Sequence, residues 1–63
     1  MPYINVQIAG ALTVDQKKKI AQAITMTIEE IANKPAQYTY IVFEEVEHED
    51  WAVGGKLLSD NSD

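Results

Sequence analysis

The stretch TVDQKKKIAQAITMTIEEIA, residues 13–32, is the strongest indication of the fold, because it predicts a helix long enough to connect two parallel strands. Thr13 followed by Gln16 fits a capping box, in which each side chain accepts a hydrogen bond from the other residue's backbone N–H. An apolar stripe follows at spacings of three and four, formed by Ile20, Ala23, Ile24, Ile28 and Ile31. Asn33 tolerates a left-handed cap, and Pro35 disfavours helical geometry in the residue before it. We therefore predict a helix from Val14 to about Ala32 that covers a sheet.

A strand is predicted on each side of this helix. Residues 3–8 read YINVQI and alternate, with Ile4, Val6 and Ile8 on one face, which is typical of a half-buried strand. Residues 38–46 read YTYIVFEEV and are rich in β-branched and aromatic residues, as expected of a more central strand. Together the three segments predict a βαβ unit with parallel strands and a right-handed crossover.

The C-terminal part predicts a short hairpin. After an acidic surface turn, EHEDW, the chain reads AVGGKLL, where Gly54 and Gly55 supply the backbone freedom for a turn. Residues 59–63 are polar, and we expect them to fray. The predicted fold class is α/β (α+β): one domain over residues 1–63, with a single βαβ unit and a short C-terminal hairpin.

Association is expected to complete this fold. A 63-residue chain buries only about 60% of the surface that its unfolded form exposes. The sequence has no Cys for a disulfide and one histidine, His48, which cannot by itself provide a structural zinc site. Parallel sheets usually have both faces buried, whereas one helix covers one face. We therefore predict a homo-oligomer.

Charge and hydropathy exclude several classes of function. The net charge is −5, and all five basic residues are lysines, so the chain has no arginine. This balance argues against nucleic-acid binding, which depends largely on Lys and Arg at phosphates. No apolar run has the length of a membrane span, and the N-terminus lacks the basic and apolar regions of a signal peptide. We expect a cytoplasmic protein.

Several segments carry a resemblance to a known family. They are the Met-Pro start that leads directly into a strand, TVDQKKKIAQAIT at the helix opening, the proline after the helix, IVFEEV, and HEDWAVGGKLLSD near the end. In this order they resemble the 4-oxalocrotonate tautomerase family over essentially the whole chain. The most specific parts of the resemblance are the Pro2 start and WAVGGK.

The resemblance implies a tautomerase without any cofactor, which moves a proton between the enol and keto forms of a small 2-oxo acid or related enol. In that family the initiating Met is removed and the exposed proline amine is the general base, and Pro2 is the matching position. If Met1 is retained, the Pro2 nitrogen is an amide without a basic lone pair. Taken alone, Pro2 also fits a proline tolerated at the first position of a strand.

The resemblance also implies three substrate-binding positions. The family holds substrate oxygens with two arginines, and the matching residues here are Leu12 and Tyr40, neither of which offers a guanidinium fork. Leu12 would make the pocket mouth apolar, or simply contact the helix entrance. Tyr40 would donate its O–H to an enolate oxygen, or only pack against a neighbour. Trp51 would wall the pocket, pack at an interface, or both.

Two hypotheses stay open at this point. One is the enzyme, which by family analogy is a hexamer built as a trimer of dimers. The other is a non-catalytic scaffold of the same fold that has lost the arginines. The remaining polar residues predict no site: Lys17, Lys18 and Lys19 are expected on a solvated helix face, and His48 in an exposed turn. Glu44 and Glu45 are adjacent on a strand and should face opposite ways.

Overall fold

A computed structural model describes residues 1–60 and contains the βαβ unit followed by a hairpin. The helices and strands are β1 (Tyr3–Ala9), α1 (Val14–Ala32), β2 (Tyr40–Val46), β3 (Ala52–Val53) and β4 (Lys56–Leu57). Short 3₁₀ helices cover Ala36–Tyr38, His48–Asp50 and Leu58–Asp60. The predicted fold class is confirmed. Of the tail expected to fray, residues 59 and 60 belong to a 3₁₀ helix, and residues 61–63 lie outside the described part of the chain.

The main sheet consists of β1 and β2, which pair in parallel from Tyr3 opposite Tyr40 to Ala9 opposite Val46. The two faces differ as predicted, since Ile4, Val6 and Ile8 are half-buried and the residues between them are exposed. β2 begins two residues later than predicted. Tyr38 instead closes a 3₁₀ turn, in which its backbone N–H donates to the Pro35 carbonyl oxygen at 3.0 Å.

Helix α1 has the predicted bounds and both predicted ends. The capping box between Thr13 and Gln16 is complete, and Asn33 adopts the left-handed conformation with φ 60° and ψ 40°. The apolar stripe was only partly right, because Ala23 is exposed and Ile31 is 82% exposed. Nineteen helical residues extend about 28 Å and seven strand residues about 23 Å. The helix is therefore about one turn longer than the sheet beneath it.

A single copy of the chain is loosely packed over the described residues. None of residues 1–60 is fully buried. The chain exposes 4930 Å², where a compact monomer of its mass exposes about 4000 Å². Its radius of gyration is 15.0 Å, against about 11 Å for a compact domain of this length. Within residues 1–60, α1 included, no helix combines the length and apolarity that a bilayer crossing requires.

Candidate active site

Pro2 lies half-buried immediately before β1. The backbone N–H of Tyr40 donates to the Pro2 carbonyl oxygen at 2.9 Å, which extends the parallel ladder by one step beyond β1. This bond fixes the proline against the first residue of β2. Met1, which precedes it, is 84% exposed. The bond that links Met1 to Pro2 therefore lies at the surface of the protomer, while the ring itself is partly sheltered.

Tyr40 lies beside Pro2 in the backbone but presents its side chain on the other face of the sheet. Strand side chains alternate, and Pro2 shares the helix-covered face with Ile4, whereas Tyr3 and Tyr40 share the open face. Both tyrosines are exposed in the protomer. The Tyr40 hydroxyl therefore does not share a pocket with the Pro2 ring of its own chain.

Leu12 lies in the loop between β1 and α1, where the carboxylate of Glu45 holds its backbone. The Leu12 N–H donates to Glu45 Oε2 at 3.0 Å, and Lys17 Nζ lies 3.0 Å from the same oxygen. The Leu12 N–H, followed by the Lys17 ammonium, lowers the pKa of Glu45 below its ordinary value of 4.5. Leu12 itself is half-buried.

The predicted solvated face of the three lysines is wrong for Lys17. Its side chain is 33% exposed and reaches from the first turns of α1 to Glu45 at the end of β2. Lys18 and Lys19 are exposed as expected, and Lys19 pairs at 3.1 Å with Asp15 one turn earlier on the helix. The ion pair with Glu45 therefore leaves Lys17 less exposed to solvent than the two lysines that follow it.

The adjacent glutamates of β2 face opposite ways, as predicted. Glu44 Oε1 accepts a hydrogen bond from Asn5 Nδ2 at 2.8 Å on the open face, whereas Glu45 contacts the loop and the helix. They do not form an acid–base pair. Sequence reasoning missed the role of Glu45, because no local motif marks a carboxylate whose partners lie 28 and 33 residues away.

Trp51 is half-buried directly after the 3₁₀ helix that follows β2. Its carbonyl oxygen accepts a hydrogen bond from the Leu58 N–H at 2.9 Å, which ties the far end of the hairpin back to it. Trp51 lines an open cleft of about 240 Å³ together with Gln7, Val46, Asp50 and Ala52. The indole is thus presented at the carboxyl end of the sheet.

The four predicted site residues fall into two groups at opposite ends of the sheet. Pro2 and Tyr40 lie where both strands begin, and Leu12 and Trp51 lie just after the strands end. The seven residues of β1 separate the two groups by about 23 Å. Within one chain, Pro2 and Tyr40 are neighbours only through the backbone, and neither lies near Leu12 or Trp51.

His48 is exposed in the 3₁₀ helix after β2, as expected. Across residues 1–60, no group of three or more His, Cys, Asp or Glu side chains is arranged to hold a metal ion.

Comparisons with known proteins match nearly all of the chain. A family model described as "Tautomerase enzyme" matches residues 2–61. A probable tautomerase of Bacillus cereus is 37% identical over 60 residues, which cover 95% of this chain and 98% of the relative. A 2-hydroxymuconate tautomerase of Bacillus subtilis is 30% identical over 60 residues, with 95% and 97% covered.

Solved structures give the same result. The crystal structure of YwhB, described as a homologue of 4-oxalocrotonate tautomerase, superimposes with a TM-score of 0.91. It is 28% identical in sequence, and the match covers 97% of this chain and 100% of that one. The βαβ unit with its hairpin, the match of residues 2–61 to the family model and the 37% identity to a probable tautomerase lead to one conclusion: this chain belongs to the tautomerase family.

Proposed function

We propose that this chain is a cofactor-independent tautomerase that moves a proton between the enol and keto forms of a small 2-oxo acid, with the Pro2 nitrogen as general base after removal of Met1. The observation that carries the proposal is the placement of Pro2. It is half-buried at the start of β1, its carbonyl is held by the Tyr40 N–H at 2.9 Å, and the residue before it is exposed. The family match, which begins at residue 2, supports the same position.

The chemistry requires a basic lone pair in a partly dry environment. A free α-amino group titrates at about pH 8, and burial disfavours its charged form, so that its pKa moves down toward the working pH. The Pro2 nitrogen takes the proton from the enol hydroxyl while the enol double bond shifts, and the resulting ammonium returns the proton to carbon. No electrons are gained or lost, so the reaction needs no redox partner.

A complete site requires a second copy of the chain. Leu12 and Trp51 lie about 23 Å from Pro2 and Tyr40 along β1. Two copies related by a two-fold axis, with their sheets antiparallel, bring the start of one sheet beside the end of the other. The same contact gives each two-stranded sheet two more strands and covers an exposed edge. We propose such dimers, three of which form the hexamer that the family resemblance implies.

In this arrangement Leu12 and Trp51 of one copy enclose the pocket of the other copy's Pro2. Leu12 makes the mouth apolar, Trp51 keeps the amine dry, and a Tyr40 hydroxyl stabilises the developing enolate oxygen. The Bacillus subtilis relative makes 2-hydroxymuconate the first substrate to try. Because a leucine cannot bind a second carboxylate, we expect a monoacid such as phenylenolpyruvate to be preferred over this diacid.

The test is ketonisation of both enols by the Met-free protein and by Pro2→Ala. We expect kcat/KM to fall about 10²-fold in the variant, because alanine keeps an α-amino group but lacks the ring that fixes the direction of its lone pair. Protein that retains Met1 should lose at least as much activity, because its Pro2 nitrogen is an amide. Equal rates for wild-type and Pro2→Ala would overturn the proposal.

The second candidate is a non-catalytic scaffold of the same fold, favoured by the complete absence of arginine. Mass spectrometry of protein isolated from its native host separates the two candidates. Quantitative retention of Met1 blocks the amine and favours the scaffold, whereas clean removal leaves Pro2 free for catalysis.

A further inference from the structure

Glu45 joins three segments through one oxygen atom. Its Oε2 accepts a hydrogen bond from the Leu12 N–H and lies 3.0 Å from Lys17 Nζ, while Glu45 itself belongs to β2. We call the Glu45 carboxylate, the Lys17 ammonium and the Leu12 N–H the Glu45 bridge. The bridge is partly sheltered, since the Glu45 side chain is 35% exposed and that of Lys17 is 33% exposed.

The loop that carries Leu12 is fixed at both ends independently of this bridge. At its start, Gly10 has φ +117°, a conformation that other residues rarely adopt, and its N–H donates to the Val46 carbonyl at 3.0 Å. At its end, Thr13 caps α1. Between these points, the Glu45 carboxylate accepts the Leu12 N–H. The placement of the Leu12 backbone therefore depends on Glu45, which Lys17 in turn holds from the helix.

We propose that Glu45, held by Lys17, is a positioning residue that fixes the Leu12 loop and thereby the shape of the substrate-binding mouth. This rests on the proposed function, because it takes Leu12 to line that mouth. Glu45 acts through Leu12 and does not touch the reacting atoms. Loss of the bridge should weaken substrate binding while the Pro2 chemistry continues.

A competing role for the same residues makes the opposite prediction. If the Lys17 ammonium bound the substrate carboxylate directly, Glu45 would compete for that charge. Neutralising Glu45 would then strengthen substrate binding, and neutralising Lys17 would weaken it. If the bridge only positions the loop, both changes weaken binding in the same direction.

The experiment measures kcat and KM for phenylenolpyruvate with Glu45→Gln, Lys17→Met and the double variant. We expect KM to rise about fivefold in each single variant and no further in the double variant, because all three break one network. kcat should stay within about twofold of wild-type. Asp15→Asn and Lys19→Met are matched controls, since they remove the same charges from an exposed ion pair on the same helix and should leave both constants unchanged. A lower KM in Glu45→Gln, or equal shifts in the controls, would overturn the proposal.

Hydrogen exchange of the Leu12 amide tests the bridge without any activity. In Glu45→Gln the amide loses its charged acceptor, so we expect its exchange to speed up about tenfold relative to Asp15→Asn. Unchanged exchange would show that the bridge does not hold the loop. If exchange becomes faster but the protein has no Pro2-dependent activity, the contact between Glu45 and Leu12 is real but has no role in substrate binding. This result would overturn the proposed function. Unchanged exchange in an active protein would overturn only the positioning role of Glu45.

Discussion

Pro2 and Tyr40 are joined through the backbone while their side chains lie on opposite faces of the sheet. The alternation of strand side chains imposes this, because residues paired in adjacent parallel strands share a face, and Tyr40 is paired with Tyr3. In the proposed site, the Tyr40 hydroxyl therefore acts in the pocket of another copy and not in that of its own Pro2.

Tyr40→Phe tests whether the Tyr40 hydroxyl stabilises the enolate oxygen, because it removes that one oxygen atom. Removing the hydroxyl keeps the ring and its packing, so we expect kcat to fall about tenfold, less than for a dedicated oxyanion donor. Steady-state ketonisation of phenylenolpyruvate is the measurement. Tyr38→Phe is the control, because Tyr38 lies in the 3₁₀ turn before β2 and has no proposed role. Identical kcat values in both variants would assign Tyr40 to packing alone.

At the scale of elements, α1 is defined by its ends more than by its stripe. The capping box at Thr13 and the left-handed Asn33 fix where the helix begins and ends. The apolar stripe faces the sheet through Ile20, Ile24 and Ile28. Lys17 lies on the same side of the helix and forms an ion pair with Glu45 of β2. Local hydrogen bonds therefore set the length of the helix, and the contact with β2 helps to set its orientation.

Thr13→Ala should lower the free energy of unfolding by about 1 kcal/mol, the usual cost of losing an N-cap side chain. Urea denaturation at matched protein concentration is the measurement, because association contributes to the stability of an oligomer. Thr27→Ala is the control on the same helix. Its hydroxyl donates to the Ala23 carbonyl at 2.9 Å, and its loss should change stability by less than about 0.5 kcal/mol. Equal losses would contradict the capping role.

The Glu45 bridge should make part of the stability depend on pH. The pKa of Glu45 is lowered in the folded protein, so the folded state favours the carboxylate and the unfolded state takes up the proton first. The contribution is present above the ordinary value of 4.5 and is lost as pH falls through the lowered pKa. Denaturation midpoints of wild-type and Glu45→Gln should thus differ at neutral pH and converge in acid. A gap that persists in acid would contradict this.

At the scale of the whole molecule, the protomer is extended and incompletely packed. Its axes measure 44, 24 and 16 Å, and the open face of the sheet exposes Tyr3, Tyr40 and Val42. The hairpin adds exposed Val53 and Leu57. Apolar surface of this kind on a chain of 63 residues is typical of an association surface.

Val42→Lys should disrupt assembly, because it places a charge on the open face of the sheet that we expect a second copy to cover. In sedimentation velocity at micromolar concentration, wild-type should run as an oligomer and the variant as a smaller species. Met26→Lys is the control, since Met26 is exposed on the side of α1 away from the sheet and should leave assembly intact. A stable wild-type monomer would contradict the proposed assembly.

Local sequence patterns correctly predicted the helix ends at Thr13 and Asn33, the alternation of β1 and the βαβ order. These features depend on hydrogen bonds and periodicity among residues close together in the sequence, so they can be predicted from it. The start of β2 was predicted two residues too early. Tyr38 is of a type common in strands, but here it closes the 3₁₀ turn that follows Pro35.

Contacts between residues far apart in the sequence could not be predicted in this way. The folded structure places Lys17 beside Glu45 and ties Leu12 to the end of β2. Each of these depends on strand register and on the packing of α1 against the sheet. Contacts between residues about 30 positions apart leave no local pattern, because their energy is gained only when the chain closes on itself.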